Sequence, residues 1–177
     1  PGAIWEQGGV DYVNTYFPVV TARQAGDPAP FMDLLRRMLP VKLDRDILLA
    51  YMAFCVQYPG VKAQWCVLLQ GTQGNGKSFI GECLVEAIGR RYCHSPKAAE
   101  LTGQLNSWVY GKLLAVVEDM HTPHSRQHAD VIEVLKPMIT AAYLEIEAKG
   151  QDKRTAEVCL NFVLNSNHKD AIRKTQD

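Results

Sequence analysis

One stretch restricts what this chain can fold into more than any other. Gly71-Thr72-Gln73-Gly74-Asn75-Gly76-Lys77-Ser78 spells the phosphate-binding loop pattern G-x-x-x-x-G-K-[ST]. Before it, Trp65 to Gln70 is a short apolar run that reads as a buried strand. After it, Phe79 to Ile88 is apolar with a helical period. The motif thus has the context it needs, a strand entering a helix through a glycine-rich turn. Glycines let the backbone wrap an anion, so that successive N–H groups and the positive helix end converge on a phosphate. The pattern assigns these eight residues to a nucleotide, with Lys77 reaching the β- and γ-phosphates and Ser78 holding Mg²⁺.

The second landmark is Leu113-Leu114-Ala115-Val116-Val117-Glu118-Asp119, a buried strand ending in two carboxylates, the form of a Walker B element. It begins 35 residues beyond Ser78, which leaves room for a helix, a strand and a second helix. Charges at the C-terminal end of such a strand face the crevice where an open parallel sheet binds its ligand. Glu118 is expected to hold Mg²⁺ through water and Asp119 to orient or deprotonate the attacking water, and either carboxylate can take either role.

Two further segments carry candidate chemistry. Tyr143 to Ala148 alternates as a half-buried strand does, runs into Lys149-Gly150-Gln151-Asp152-Lys153-Arg154, and returns through Val158. This predicts a hairpin with a basic tip, whose plain alternative is a solvated turn. Cys159 to Leu164 is another apolar strand, ending in Asn165-Ser166-Asn167. An asparagine there reaches the γ-phosphate or the lytic water if its strand lies between the phosphate-loop strand and the acidic strand; otherwise the tripeptide is a turn.

The remaining segments frame these. Val10 to Phe17 is β-prone up to Pro18, a small leader forming a hairpin or edge strand. Phe31, Leu34, Leu35 and Met38 give an amphipathic helix stopped by Pro40, and Asp44 is a candidate cap for a second helix carrying Ile47, Tyr51, Phe54, Cys55 and Tyr58. These two helices read as a packing collar, dividing the chain into a leader and collar (1–60) and a core (61–177). Tyr92-Cys93-His94 is a short strand, Lys97 to Tyr110 reads as helix broken near Gly103, and the helix from Val131 to Ile139 should bend or end at Pro137.

Composition excludes several classes. The 177 residues are 47% hydrophobic and 21% charged, which fits a globular domain and neither a disordered nor a fibrous chain. Lys plus Arg equals Asp plus Glu at 19 each, so nucleic-acid binding must come from a local cluster. No apolar run approaches the ~18 residues of a membrane span, and no signal peptide opens the chain, which argues for a cytoplasmic protein. The five cysteines form no C-x-x-C pair and read as reduced core thiols. His121, His124 and His128 have a spacing that suggests zinc, but no cysteine joins them and Pro123 interrupts any helix presenting the first two, so a solvated loop is the preferred reading. The start at Pro1-Gly2 and the end at Lys174 to Asp177 suggest a piece of a longer protein.

Taken in order, GTQGNGKS (Gly71 to Ser78), LLAVVEDM (Leu113 to Met120), LEIEAKGQDKR (Leu144 to Arg154) and NFVLNSNH (Asn161 to His168) resemble the superfamily 3 helicases, a viral and plasmid branch of the AAA+ ATPases. The run EVLKPMIT followed by EAKG and SNHKDAI is similar to the helicase part of phage and plasmid primase-helicase proteins. The resemblance covers roughly residues 60 to 170. It implies an α/β, three-layer P-loop NTPase of AAA+ type, with a mainly parallel central sheet, an N-terminal helical collar and an inserted β-hairpin. It further implies ATP and Mg²⁺, single-stranded or forked DNA, a homohexameric ring and a fused or associated primase. Lys149 matches the DNA-gripping lysine of the hairpin, with Lys153 and Arg154 secondary. Asn167 matches the polar sensor, and Asn165 takes that role if the register shifts by two. These ring enzymes complete each site with an arginine from the neighbouring subunit, usually from an Arg-Arg pair downstream of the sensor. Arg173 falls too early and lacks the doublet. Loss of such an arginine costs on the order of 10³ or more in rate.

The expected activity is therefore an ATP-dependent DNA helicase of viral or plasmid replication. The rival from another class is a P-loop switch or DNA-loading module that separates no strands, and a small-molecule kinase comes third because it leaves the hairpin unexplained.

Overall fold

The computed structural model describes residues 2–14, 24–120 and 127–168. Strands β1 (Ile4–Gln7) and β2 (Val10–Val13) form the expected leader hairpin, followed by helices α1 (Ala29–Met38) and α2 (Lys42–Gln57). Strand β3 (Val67–Gln70) passes through the glycine-rich turn into α3 (Lys77–Ile88). Next come β4 (Cys93–His94), the single-turn helix α4 (Ala98–Leu101), and β5 (Leu114–Val117). Helix α5 (Gln127–Thr140), the antiparallel pair β6 (Tyr143–Ile146) and β7 (Arg154–Glu157), and β8 (Asn161–Ser166) follow.

The central sheet has the order β3-β8-β5-β4, with every pair parallel. The latest strand in sequence is thus inserted between the strand carrying the glycine-rich turn and the strand carrying the carboxylates. Val163 lies opposite both Val67 and Val116.

Because strand side chains alternate, the two faces of this sheet build two separate cores. Leu114 and Val116 of β5 and Val163 of β8 pack with Leu35, Leu48, Tyr51, Ile80 and Leu84 of α1, α2 and α3. Ala115, Val117, Phe162 and Leu164 pack on the other face with Leu101, Val131, Leu135 and Met138 of α4 and α5. The chain is α/β, with helices on both sides of a parallel sheet. Gly81 allows α3 to lie close: a Cβ there would stand 2.7 Å from Val116 Cγ1. Tyr51 ties α2 to the central strand, its hydroxyl donating to Phe162 O at 2.6 Å and accepting from Phe162 N at 3.1 Å. Lys62 Nζ donates to Met138 O and Ala141 O, closing the end of α5.

Several expectations need correction. Asp44 does not cap α2; the helix begins at Lys42 after Val41, so Asp44 sits inside its first turn. Residues 97–110 are mostly irregular, with only α4 and a 3-10 turn at Ser107–Val109; Asn106 of this segment bonds through its own side chain to backbone groups of Glu145 and Glu147 rather than within a helical ladder. Of the two readings of Pro137, a bend or an end, the end is excluded, since α5 carries Pro137 inside it and continues to Thr140. Strand β8 runs on to Ser166, so Asn165 is a strand residue and only Asn167 lies past the end. The leader residues 15–17, the histidines His121 and His124, and Arg173 lie outside the described residues, as does the side chain of His128.

All five cysteines are free thiols. Burial pushes Cys55, Cys66 and Cys93 up to about 11, so they are protonated and unreactive at neutral pH. No helix among the described residues is long and apolar enough to cross a membrane.

Candidate functional site

The glycine-rich turn is anchored at its start, where Gly71 N donates to Ser166 O at 3.1 Å. At its end Gly76 stands at the head of α3 with φ 98°, a conformation that other L-residues adopt only under strain. Lys77 is buried, at 6% exposure, and its ammonium curls back on the turn. It donates to Gly71 O at 2.7 Å, Thr72 O at 2.8 Å and Asn75 Oδ1 at 3.0 Å. These are neutral acceptors, so an entering phosphate oxygen offers the ammonium a stronger, charge-assisted partner without moving the backbone.

Opposite the turn, both oxygens of Glu118 are engaged. Ser78 Oγ donates to Oε2 at 2.9 Å and Asn165 Nδ2 to Oε1 at 3.0 Å. Since a carboxylate only accepts, the contact fixes which way the Asn165 amide faces, leaving Asn165 Oδ1 buried without a partner among the described residues. Asp119 adopts φ 51°, and its Oδ1 accepts from Asn167 Nδ2 at 3.2 Å. Each carboxylate therefore meets one asparagine. The two strand ends are strapped together by Met120 N donating to Asn165 O at 2.7 Å and Ser166 Oγ donating to Met120 O at 2.6 Å. A cleft of about 400 Å³ lies between the turn (Gln73 to Phe79), the carboxylates and Asn165 to Asn167.

Of the candidate residues, Gln73 to Ser78, Glu118, Asp119 and both asparagines line this one cleft. Gly71 and Thr72 contribute carbonyls to Lys77. Ser166 was not singled out by the sequence, and nothing in Asn-Ser-Asn marks its hydroxyl as the strap.

The hairpin lies apart from the central sheet. Gln151 N donates to Ala148 O, closing a tip on which Lys149 is exposed. The other two candidate cations are spoken for. Lys153 Nζ lies 3.1 Å from both Glu145 Oε1 and Glu147 Oε2, which raise its pKa, and the Arg154 guanidinium sits 4.5 Å from the centre of the Tyr110 ring. Arg154 also opens β7 opposite Ile146, so it belongs to a strand and not to the tip. Asn106, unmarked in the sequence, acts as a short extra strand. Its Nδ2 donates to Glu145 O at 2.8 Å, its Oδ1 accepts from Glu147 N at 2.7 Å and its own N donates to Glu147 O at 3.1 Å.

A model of a family of unknown function, DUF5906, matches residues 69–177. The chain belongs to that family. It is also 25% identical, over 170 residues and 92% of its length, to the DNA primase-polymerase of Nitratiruptor phage NrS-1, of which it spans 23%. Among solved structures, the apo C-terminal region of NrS-1 superposes with a TM-score of 0.79 at 22% identity, over 94% of this chain and 41% of that one. A second form of that region gives 0.74, over 96% of this chain and 40% of that one. The likeness is one of fold. The chain spans less than a quarter of the curated relative, and the family matched here begins at Leu69, just before the glycine-rich turn.

Proposed function

We propose that this chain is the ATP-hydrolysing core of a phage-type DNA replication motor, a P-loop NTPase of the superfamily 3, AAA+ type. The observation that carries the reading is the insertion of β8 between β3 and β5, which joins Ser78, Glu118 and Asn165 in one hydrogen-bonded chain beside the lysine of the glycine-rich turn. The similarity to a phage DNA primase-polymerase supports a role in DNA replication, in the host cytoplasm and alongside a primase.

Mg²⁺ suits the donors present, since the Ser78 hydroxyl and the Glu118 carboxylate are hard oxygens already 2.9 Å apart. When bound, it neutralises charge on the β- and γ-phosphates. Lys77 exchanges its carbonyl partners for phosphate oxygens, and the N–H groups at the start of α3 converge on the same anion. Asn165 holds Glu118 in place. Asp119, oriented by Asn167, positions the lytic water or takes its proton, and Asn167 is the polar sensor. Lys149 is the cation that meets the DNA backbone, in a homohexameric ring that lines its channel with such hairpins. Lys153 and Arg154 set the hairpin's shape more than they grip DNA, given their partners within the chain.

The test is Mg-ATP hydrolysis with and without single-stranded DNA. Lys77→Ala should abolish hydrolysis, and Lys149→Ala should remove the stimulation by DNA. Hydrolysis that ignores DNA in the wild-type protein would refute the motor and leave a nucleotide switch or DNA loader.

A further inference from the structure

The loop that leads into β3, residues 61–66, joins elements that lie far apart in sequence. Asn161, buried at the start of β8, grips it on both sides of Lys62. Its Nδ2 donates to Val61 O at 2.9 Å, and its Oδ1 accepts from Ala63 N at 2.9 Å. Between those two contacts Lys62 reaches the other way, its Nζ donating to Met138 O and Ala141 O, each at 2.6 Å. One residue beyond Ala141, Ala142 O accepts from Val158 N at 2.9 Å, the bond that closes the base of the β6–β7 hairpin.

Two features set this contact apart from an ordinary helix cap. The last carbonyls of α5 have no donors within the helix and attract a cation, but at an open helix end water serves them. Here the donor is a half-buried lysine, and burial lowers its pKa, so holding the charge there carries a cost that an alkyl side chain would avoid. The loop is also pinned against its local preference. Gln64 stands at φ 62°, a left-handed conformation that a residue of this type keeps only where its surroundings impose it.

The position of the loop gives the contact a use. Strands β3 and β8 are parallel neighbours that both start at it, and both end at the cleft, β3 in the glycine-rich turn and β8 in Asn165 to Asn167. A shift of these two strands on phosphate binding is delivered to Lys62, and through the end of α5 to the first residues of the hairpin.

We propose that Lys62 is a positioning residue that carries the nucleotide state of the cleft to the base of the Lys149 hairpin. The assignment rests on the phosphate-site reading above and deepens it by naming the route from that site to the hairpin.

The experiment is amide hydrogen exchange of the wild-type protein, Lys62→Met and Lys62→Arg, each with and without Mg²⁺ and an ATP analogue carrying an imido bridge between its β- and γ-phosphates. Methionine keeps the apolar stem and removes the donors, whereas arginine keeps them. Two amides report, Gly71 N–H at the cleft and Val158 N–H at the hairpin base. In the wild type and in Lys62→Arg the analogue should slow both by about fivefold or more. In Lys62→Met it should slow Gly71 alike and leave Val158 unchanged. A Val158 response that persists in Lys62→Met, or is missing in the wild type while Gly71 responds, overturns the proposal and leaves the phosphate site standing. Loss of the Gly71 response in Lys62→Met also overturns it, since Lys62 would then serve the cleft itself. If the analogue slows neither amide in the wild type, the phosphate-site reading fails.

Discussion

Replacing Tyr51 with Phe removes one oxygen and tests how the collar is fixed to the sheet. In the parallel pairing of β8 with β5, Asn161 N donates to Leu113 O. The backbone groups of Phe162, one residue on, therefore point the other way, toward β3. The β3 ladder starts at Val67, opposite Val163, a register in which Val67 N reaches Phe162 O but no β3 carbonyl reaches Phe162 N. The Tyr51 hydroxyl takes both, donating to Phe162 O and accepting from Phe162 N. Phe162 is fully buried, so water does not replace the hydroxyl. Leaving one buried donor unpaired costs about 1–3 kcal/mol, and Phe162 O keeps its ladder partner, so the substitution should cost about 1–3 kcal/mol. With a urea slope of about 2 kcal/mol/M, the unfolding midpoint should fall by about 0.5–1.5 M. The assay is equilibrium urea unfolding followed by circular dichroism, beside Tyr58→Phe on the exposed end of the same helix, which should shift stability by less than about 0.5 kcal/mol. If Tyr51→Phe behaves like Tyr58→Phe, the Phe162 N–H has another partner and the account of the bridge is wrong.

Asn106→Ala should loosen the hairpin selectively, since an isolated two-stranded ribbon is marginal by itself and Asn106 supplies two side-chain bonds to β6 and the residue after it. Amide exchange at Glu147 should accelerate at least tenfold while β5 and β8 amides keep their protection; uniform acceleration would contradict the local role. Cys55, Cys66 and Cys93, pushed up to about 11 from 9.0, should alkylate at pH 8 about two orders of magnitude more slowly in the native protein than in urea. Because the unfolded chain releases those protons first, their contribution to stability is complete below about pH 9 and is lost as the pH rises to about 11. Equal native and denatured labelling rates would refute the burial argument.

How much of this was legible depended on whether the signal was local. The glycine-rich turn, β3, α3 and β5 were readable because each is written in contiguous residues with its own period. The hairpin's existence was readable from alternation, but its charge distribution was not. Lys153 and Arg154 find Glu145, Glu147 and Tyr110 only after folding, so three cations at a tip became one. The segment 97–110 misled because apolar and polar residues mix there without a partner visible in sequence, and Asn106 finds its partners roughly 40 residues downstream. Asp44 looked like a cap because its residue type favours that place, yet Lys42 and Leu43 already belong to the helix.

The pairing of two carboxylates with two asparagines follows from strand arithmetic with a single exception. Val116 and Val163 are opposite one another on the face that packs against α3. Two residues on, Glu118 and Asn165 return to that same face, which is why Glu118 meets both Asn165 and the Ser78 hydroxyl at the head of α3. Asn167 shares the parity of Asn165. Asp119 does not share that of Glu118, and in a regular strand its carboxylate would be directed to the opposite face, away from the cleft. Its left-handed backbone, φ 51°, breaks the alternation at that residue and brings the second carboxylate round to Asn167. Aspartate is among the few non-glycine residues that enter this region readily, and strain of this kind persists where the surroundings impose it. Here the surroundings are the bonds from Met120 N to Asn165 O and from Ser166 Oγ to Met120 O, which hold the turn after Asp119 against the end of β8. The acidic pair and the Asn-Ser-Asn tripeptide thus form one folded unit, in which the serine between the two asparagines, with its buried hydroxyl, keeps the second carboxylate turned toward the cleft.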